Sequence, residues 1–119
     1  MRTKPRTALV IALASAIGGC ASTLGNRQAI GDARPAKGPD CRIDVYEAEP
    51  TRPYVKISRV DAHVEITHFI SPSLDDALPE LKRQACLSGA DALMDLKESS
   101  SGYLEMRSFH VTATGIAYR

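Results

Sequence analysis

The side chains able to do chemistry in this 119-residue chain are few: three cysteines, three histidines and scattered serines and carboxylates. Cys20 ends an uncharged run behind Gly18-Gly19, where a thiol would be open to attack or to modification. Cys41 and Cys86 are the remaining thiols, 45 residues apart. In an oxidising compartment they form a bridge, or they stay free with Cys86 packing as a small hydrophobe. His63, His68 and His110 are the usual metal ligands at hand. His63 and His68 are five apart, so a continuous strand points them to opposite faces, and neither a Cys-x-x-Cys nor a His-x-x-x-His spacing occurs. Packed or solvated histidines, with no metal and no cofactor, are the expectation. Nucleophilic catalysis would require a serine or cysteine beside a positioned base. Ser99-Ser100-Ser101 is a polar cluster, no Gly-x-Ser-x-Gly elbow is present, and Asp75-Asp76 has the character of helix-start charge. No catalytic residue is assigned, and an enzyme is not expected.

The N-terminus supplies an address. Arg2, Lys4 and Arg6 precede an uncharged segment from Ala8 to Ile17 and then two glycines, the composition of a secretory signal. Its apolar run falls short of the roughly 20 residues of a spanning helix. Ile17-Gly18-Gly19-Cys20 resembles the bacterial lipobox, with Ile17 where leucine is commoner. The resemblance implies cleavage before Cys20 and lipid on its thiol. It also implies outer-membrane sorting on the periplasmic face, since Ala21 and Ser22 follow in place of an aspartate. The alternatives are an ordinary signal with unmodified Cys20, or an uncleaved anchor.

The full chain has 15 basic and 14 acidic residues; losing Arg2, Lys4 and Arg6 with the signal leaves 12 against 14, a net charge near −2. That balance argues against nucleic acid, whose partners usually carry a basic excess. With two Phe, four Tyr and no Trp, the core must be aliphatic. The parts are then residues 1–19 as signal peptide, 20–40 as lipidated cysteine and flexible linker, and 41–119 as the folded domain. The linker assignment follows from Gly25, Gly31, Gly38, Pro35 and Pro39 without apolar periodicity. As a coil its twenty residues span on the order of 25 Å.

Within 41–119 the alternation Arg42-Ile43-Asp44-Val45-Tyr46 predicts a strand, and Pro50 and Pro53 a loop. Tyr54 to Phe69 reads as a long strand with Val60, Ala62, Val64 and Ile66 on one side and a possible bend near Asp61. Leu74, Ala77, Leu78, Leu81 and Ala85 form a helical stripe, with Ser73, Asp75 or Asp76 as its cap and its start about a turn ahead of Pro79. Gly89 suits a left-handed cap. Ala92 to Lys97 is a buried strand, Glu98 to Gly102 a hairpin loop, and Tyr103 to Tyr118 a final alternating strand in which Gly115 permits a bulge or close contact with the helix. The sum is a β-β-α-β-β, α+β fold: a small, mostly antiparallel sheet with one packed helix.

That order, with Ala85-Cys86-Leu87-Ser88-Gly89-Ala90-Asp91-Ala92-Leu93 and Thr114-Gly115-Ile116-Ala117, resembles small bacterial domains of the YbjQ-type family and of the Rcs envelope-stress sensor lipoproteins. The resemblance covers residues 41–119 and rests on structural positions: Gly89 for the cap, Ala90 and Ala92 for packing, Gly115 for close approach. The Rcs sensor has two disulfides and a longer proline-rich linker, whereas this chain allows one bridge. The heavy-metal label attached to the YbjQ-type family has no ligand cluster behind it here. Together these features imply a lipid-anchored envelope lipoprotein acting as a non-catalytic interaction or stress-sensing module, its partners the membrane through Cys20 and an envelope protein. A metal- or small-ligand-binding lipoprotein using His63, His68 or His110 is the alternative.

Overall fold

The computed structural model describes residues 21–119 as β1 (Ala21–Ala29), β2 (Asp44–Val45), β3 (Tyr54–Ile66), α1 (Leu74–Leu87), β4 (Ala92–Tyr103) and β5 (Met106–Tyr118). The predicted signal 1–19 and Cys20 lie outside the described residues. The five strands form one sheet in the order β1-β3-β5-β4-β2, antiparallel except where β2 meets β4. The domain is thus α+β, one helix on a mostly antiparallel sheet.

Alternation builds the core. Val60, Ala62 and Val64 of β3 pair with Ala113, Val111 and Phe109 of β5, and all six are buried beneath α1. The helix answers with Ala77, Leu81 and Ala85, fully buried on one stripe. Its start is fixed by Ser73, whose backbone N–H donates to Asp76 Oδ2 at 2.7 Å, with Asp75 and Asp76 favouring the positive end of the helix dipole. Leu74 begins the helix a little over a turn ahead of Pro79. At the other end Gly89 has φ 81°. The Gly89 and Ala90 N–H groups donate to the Cys86 and Ala85 carbonyls, both at 3.0 Å, which is a Schellman closure.

Four expectations need correction. Residues 21–29, expected within a flexible linker, are the edge strand β1, paired from Ala21↔Ile66 to Ala29↔Ser58, so the order is β-β-β-α-β-β. Nearly every side chain of β1 is exposed, so no alternation betrays the strand; the backbone ladder holds it. Only Gly25 is half-buried, and its missing Cβ leaves room for Glu80 and Gln84. Residues 30–40 are also docked. The Lys37 N–H donates to the Cys86 carbonyl at 2.8 Å, and the Lys37 ammonium pairs with Asp91.

Second, the strand expected over 42–46 shrinks to Asp44–Val45, parallel to β4. Third, the long strand ends at Ile66 because His68 and Phe69 take left-handed φ of 63° and 61°. Its irregularity lies between Lys56 and Ser58, not near Asp61. Fourth, Glu98 to Gly102 is no loop. Ser99, Ser100 and Ser101 continue the ladder opposite His110, Phe109 and Ser108, and the turn comes at Leu104-Glu105. Serine's small polar side chain suits a solvated hairpin arm as well as it suits a turn.

Candidate functional site

Because α1 covers one face only, the other face of the sheet carries no helix, and a small cluster of Ala92, Met94 and Ile116 is buried at one end of it. The rows of that face follow from the register. Leu24, His63, His110 and Ser99 lie in one row; Asn26, Asp61, Thr112 and Lys97 in the next; Gln28, Arg59, Thr114 and Met94 in the third. Two register shifts, at Lys56/Ser58 in β3 and at Met94/Lys97 in β4, flank Thr114 from either side. Asp95 in the second shift has φ 54°. Such irregularities bend strands and re-aim side chains. Between them opens a hollow of about 400 Å³ lined by Lys56, Arg59, Asp95, Lys97, Thr112 and Thr114.

Charge there is one-sided. The Lys56 ammonium stands 3.9 Å from Asp95 Oδ2, while Arg59 and Lys97 have no carboxylate within ion-pairing distance among the described residues. Three cations against one acid, with two threonine hydroxyls, can receive carboxylates or other anionic groups.

Of the three histidines the fold brings two together. His63 and His110 are cross-strand partners with ring centroids 5.6 Å apart, and His63 Nε2 lies 3.0 Å from Glu65 Oε1. His68 sits apart, in the loop after β3. Among the described residues no group of three or more histidine, cysteine or carboxylate side chains is placed to hold a metal ion. Same-strand spacing could not reveal the His63–His110 pairing, which depends on register.

The two internal cysteines meet. Cys41 and Cys86 sulfurs are at bonding distance, 2.11 Å, with Cα atoms 5.8 Å apart, tying the approach to β2 to the last turn of α1. Cys20 itself lies outside the described residues; its neighbour Ala21 opens β1.

At the end of the sheet away from Ala21, a polar network missed by the sequence fastens the last strand. The Tyr118 hydroxyl donates to Asp44 Oδ2 at 2.9 Å and accepts from Tyr46 at 2.8 Å, beneath the Arg52 guanidinium. Burial, then the hydrogen bonds with Tyr46 and Asp44, keep the Tyr118 phenol protonated well above its ordinary range. Asp91 accepts from the Tyr118 N–H at 2.8 Å and from Lys37. Burial pushes the Asp91 carboxyl upward. The Lys37 hydrogen bond, the Tyr118 N–H and the charges of Lys37 and Arg34 together outweigh it, so the net shift is downward. Since the folded value lies below the ordinary one, Asp91 contributes its full stability above the ordinary carboxylate range and loses it as pH falls through the folded value. Asp91→Asn is expected to cost about 1–2 kcal/mol at neutral pH. It should also flatten the acid limb of the stability profile, as read from urea unfolding between neutral and strongly acidic pH. An acid limb unchanged by the substitution would refute the assignment.

No family model matches this chain, and no curated protein sequence matches it. Among solved structures it is similar to a Francisella virulence factor, FvfA, at 18% identity and a TM-score of 0.47, covering 77% of this chain and 97% of that one.

Proposed function

We propose that this chain is a lipid-anchored protein on the periplasmic face of the outer membrane, and that its α+β domain is a non-catalytic interaction module. The observation that carries the proposal is the junction at residues 17–21: Ile17-Gly18-Gly19-Cys20 runs directly into Ala21, the first residue of a strand of the folded domain. A cysteine so placed couples an acyl anchor to the domain without a long tether. The Cys41–Cys86 contact at bonding distance is in keeping with an oxidising compartment.

The surface offered to a partner is the cationic hollow on the sheet face opposite α1, and its chemistry selects an envelope protein that presents acidic side chains. Among the described residues Arg59 and Lys97 make no ion pair, so such a partner supplies a carboxylate that the domain does not. The test is photo-crosslinking in whole envelopes of the wild type and of an Arg59→Glu, Lys97→Glu variant. Both residues are exposed, so folding should hold while affinity for the captured partner drops at least about tenfold, or roughly 1.4 kcal/mol. Identical crosslinks from the two proteins would remove this face from the proposal.

A further inference from the structure

Among the described residues five of the seven exposed large apolar side chains, all but Leu24 and Ile30, share one end. They are Phe69, Ile70, Tyr103, Leu104 and Met106, and the first four are each more than half exposed. Phe69 and Ile70 follow β3; the other three form the tip of the β4–β5 hairpin. The two loops are one structure. The Phe69 N–H donates to the Glu105 carbonyl at 2.9 Å, and the Arg107 guanidinium lies 5.2 Å from the Phe69 ring centroid while donating to the Leu104 and Met106 carbonyls at 2.6 and 3.0 Å. His68, Phe69 and Leu104 hold left-handed φ of 63°, 61° and 53°, a conformation that costs a side-chain-bearing residue energy and that collects at functional sites. A concentrated apolar patch on a small domain marks a contact surface.

The register says what that surface faces. Ala21, Ile66, Arg107 and Gly102 stand in one cross-strand row, the row immediately beneath this tip. Ala21, the residue that follows Cys20 in the sequence, therefore opens β1 at the end of the domain that carries the apolar tip.

We propose that the tip formed by Phe69, Ile70, Tyr103 and Leu104 inserts into the interfacial layer of the bilayer that holds the Cys20 lipid, standing the domain end-on at the membrane. This rests on the anchored reading above. Tyr103 suits that layer, its ring in apolar surroundings and its hydroxyl wet, Phe69 and Leu104 supply apolar surface to bury, and Arg107 beside them meets lipid phosphates. The row of Arg59 and Thr114 is seven residues higher, about 23 Å along β3 from the Ile66 row, which leaves the cationic hollow free for its partner.

The chain has no tryptophan, so one placed by Tyr103→Trp reports on the tip and one placed by Arg119→Trp reports on the far end. The full lipidated protein is purified, its Cys20 acylation is read by mass, and it is reconstituted in phosphatidylethanolamine–phosphatidylglycerol vesicles with brominated acyl chains. Emission from Tyr103→Trp should shift to the blue and be largely quenched, that from Arg119→Trp should not, and adding Phe69→Ser with Leu104→Ser should restore the emission of the first. Unquenched Tyr103→Trp in a protein whose Cys20 carries lipid overturns the insertion and leaves the anchor standing. A Cys20 without added mass overturns the anchor and the insertion together. A shift seen only when other envelope proteins share the vesicle assigns the tip to a protein partner and overturns the membrane reading.

Discussion

Replacing both Cys41 and Cys86 by Ala is expected to lower the stability of the domain by about 4 kcal/mol, the entropy of closing a loop of 45 residues in the unfolded chain. A small domain has a total of some 5–15 kcal/mol to lose, so this is a large share of it. It should appear as a drop in Tm on the order of 20 °C. The bridge acts where little else does. Its Cys41 end leads into β2, a strand of two residues that contributes a single short parallel pairing with β4. Its Cys86 end is fully buried in the last turn of α1, whose carbonyl also receives the Lys37 N–H. Without the cross-link, the stretch 31–43 would rest mainly on that hydrogen bond, the Lys37–Asp91 pair and the buried Ile43. Alanine serves better than serine in this test, because a hydroxyl at position 86 could donate to the Cys41 carbonyl, 3.4 Å from the Cys86 sulfur, and mask part of the loss. Thermal and urea unfolding of the wild type, of the wild type with reductant and of the double variant give three readings. Equal midpoints for all three would mean that the sulfurs contribute nothing by being joined.

The contrast between β3 and β1 shows which parts of this fold a sequence can disclose. Val60, Ala62 and Val64 announce their strand because each alternate side chain enters the core, and Leu81 with Ala85 announces the helix for the same reason at a different period. Gly89 and Gly115 were legible too, since both solve backbone problems that only glycine solves. In β1 the side chains do almost nothing: Leu24 is 70% exposed, and what fixes the strand is the ladder to β3, to which every residue type contributes alike. The hairpin arm at Ser99-Ser100-Ser101 hides in the same way. The candidate site was less legible than the fold. Arg59 and Lys97 are 38 positions apart in the chain and belong to strands separated by β5. They share a hollow because two register shifts bend β3 and β4 toward it, and no local pattern records a register. Phe69 likewise meets Glu105 and Arg107 only because the β4–β5 hairpin runs as far as the end of β3.

Gly115→Ala is expected to cost about 3 kcal/mol, the sum of overpacking a filled interior and disturbing a buried hydrogen bond. A methyl group at position 115 would run into Ser58 Oγ and come within 3.2 Å of Ala90 Cβ. Neither neighbour can step aside easily. Ser58 is 1% exposed, and its hydroxyl donates to Ser88 Oγ at 2.8 Å, which in turn donates to the Ala85 carbonyl at 2.7 Å. Ala90 follows the Schellman closure and is fully buried. The strain would therefore fall on the register shift beside Ser58, the same irregularity that shapes the cationic hollow on the opposite face. The cause can be isolated by a double-mutant cycle. Ser58→Gly removes the hydroxyl that the new methyl would strike, so in that background Gly115→Ala should cost less than about 1 kcal/mol, a coupling on the order of 2 kcal/mol. Additive losses from the two substitutions, measured by urea unfolding, would show that close approach to Ser58 is not why glycine occupies position 115. If the coupling appears, Gly115→Ala should also weaken partner capture through Arg59 and Lys97 without touching either, because both faces of the sheet depend on one bend in β3.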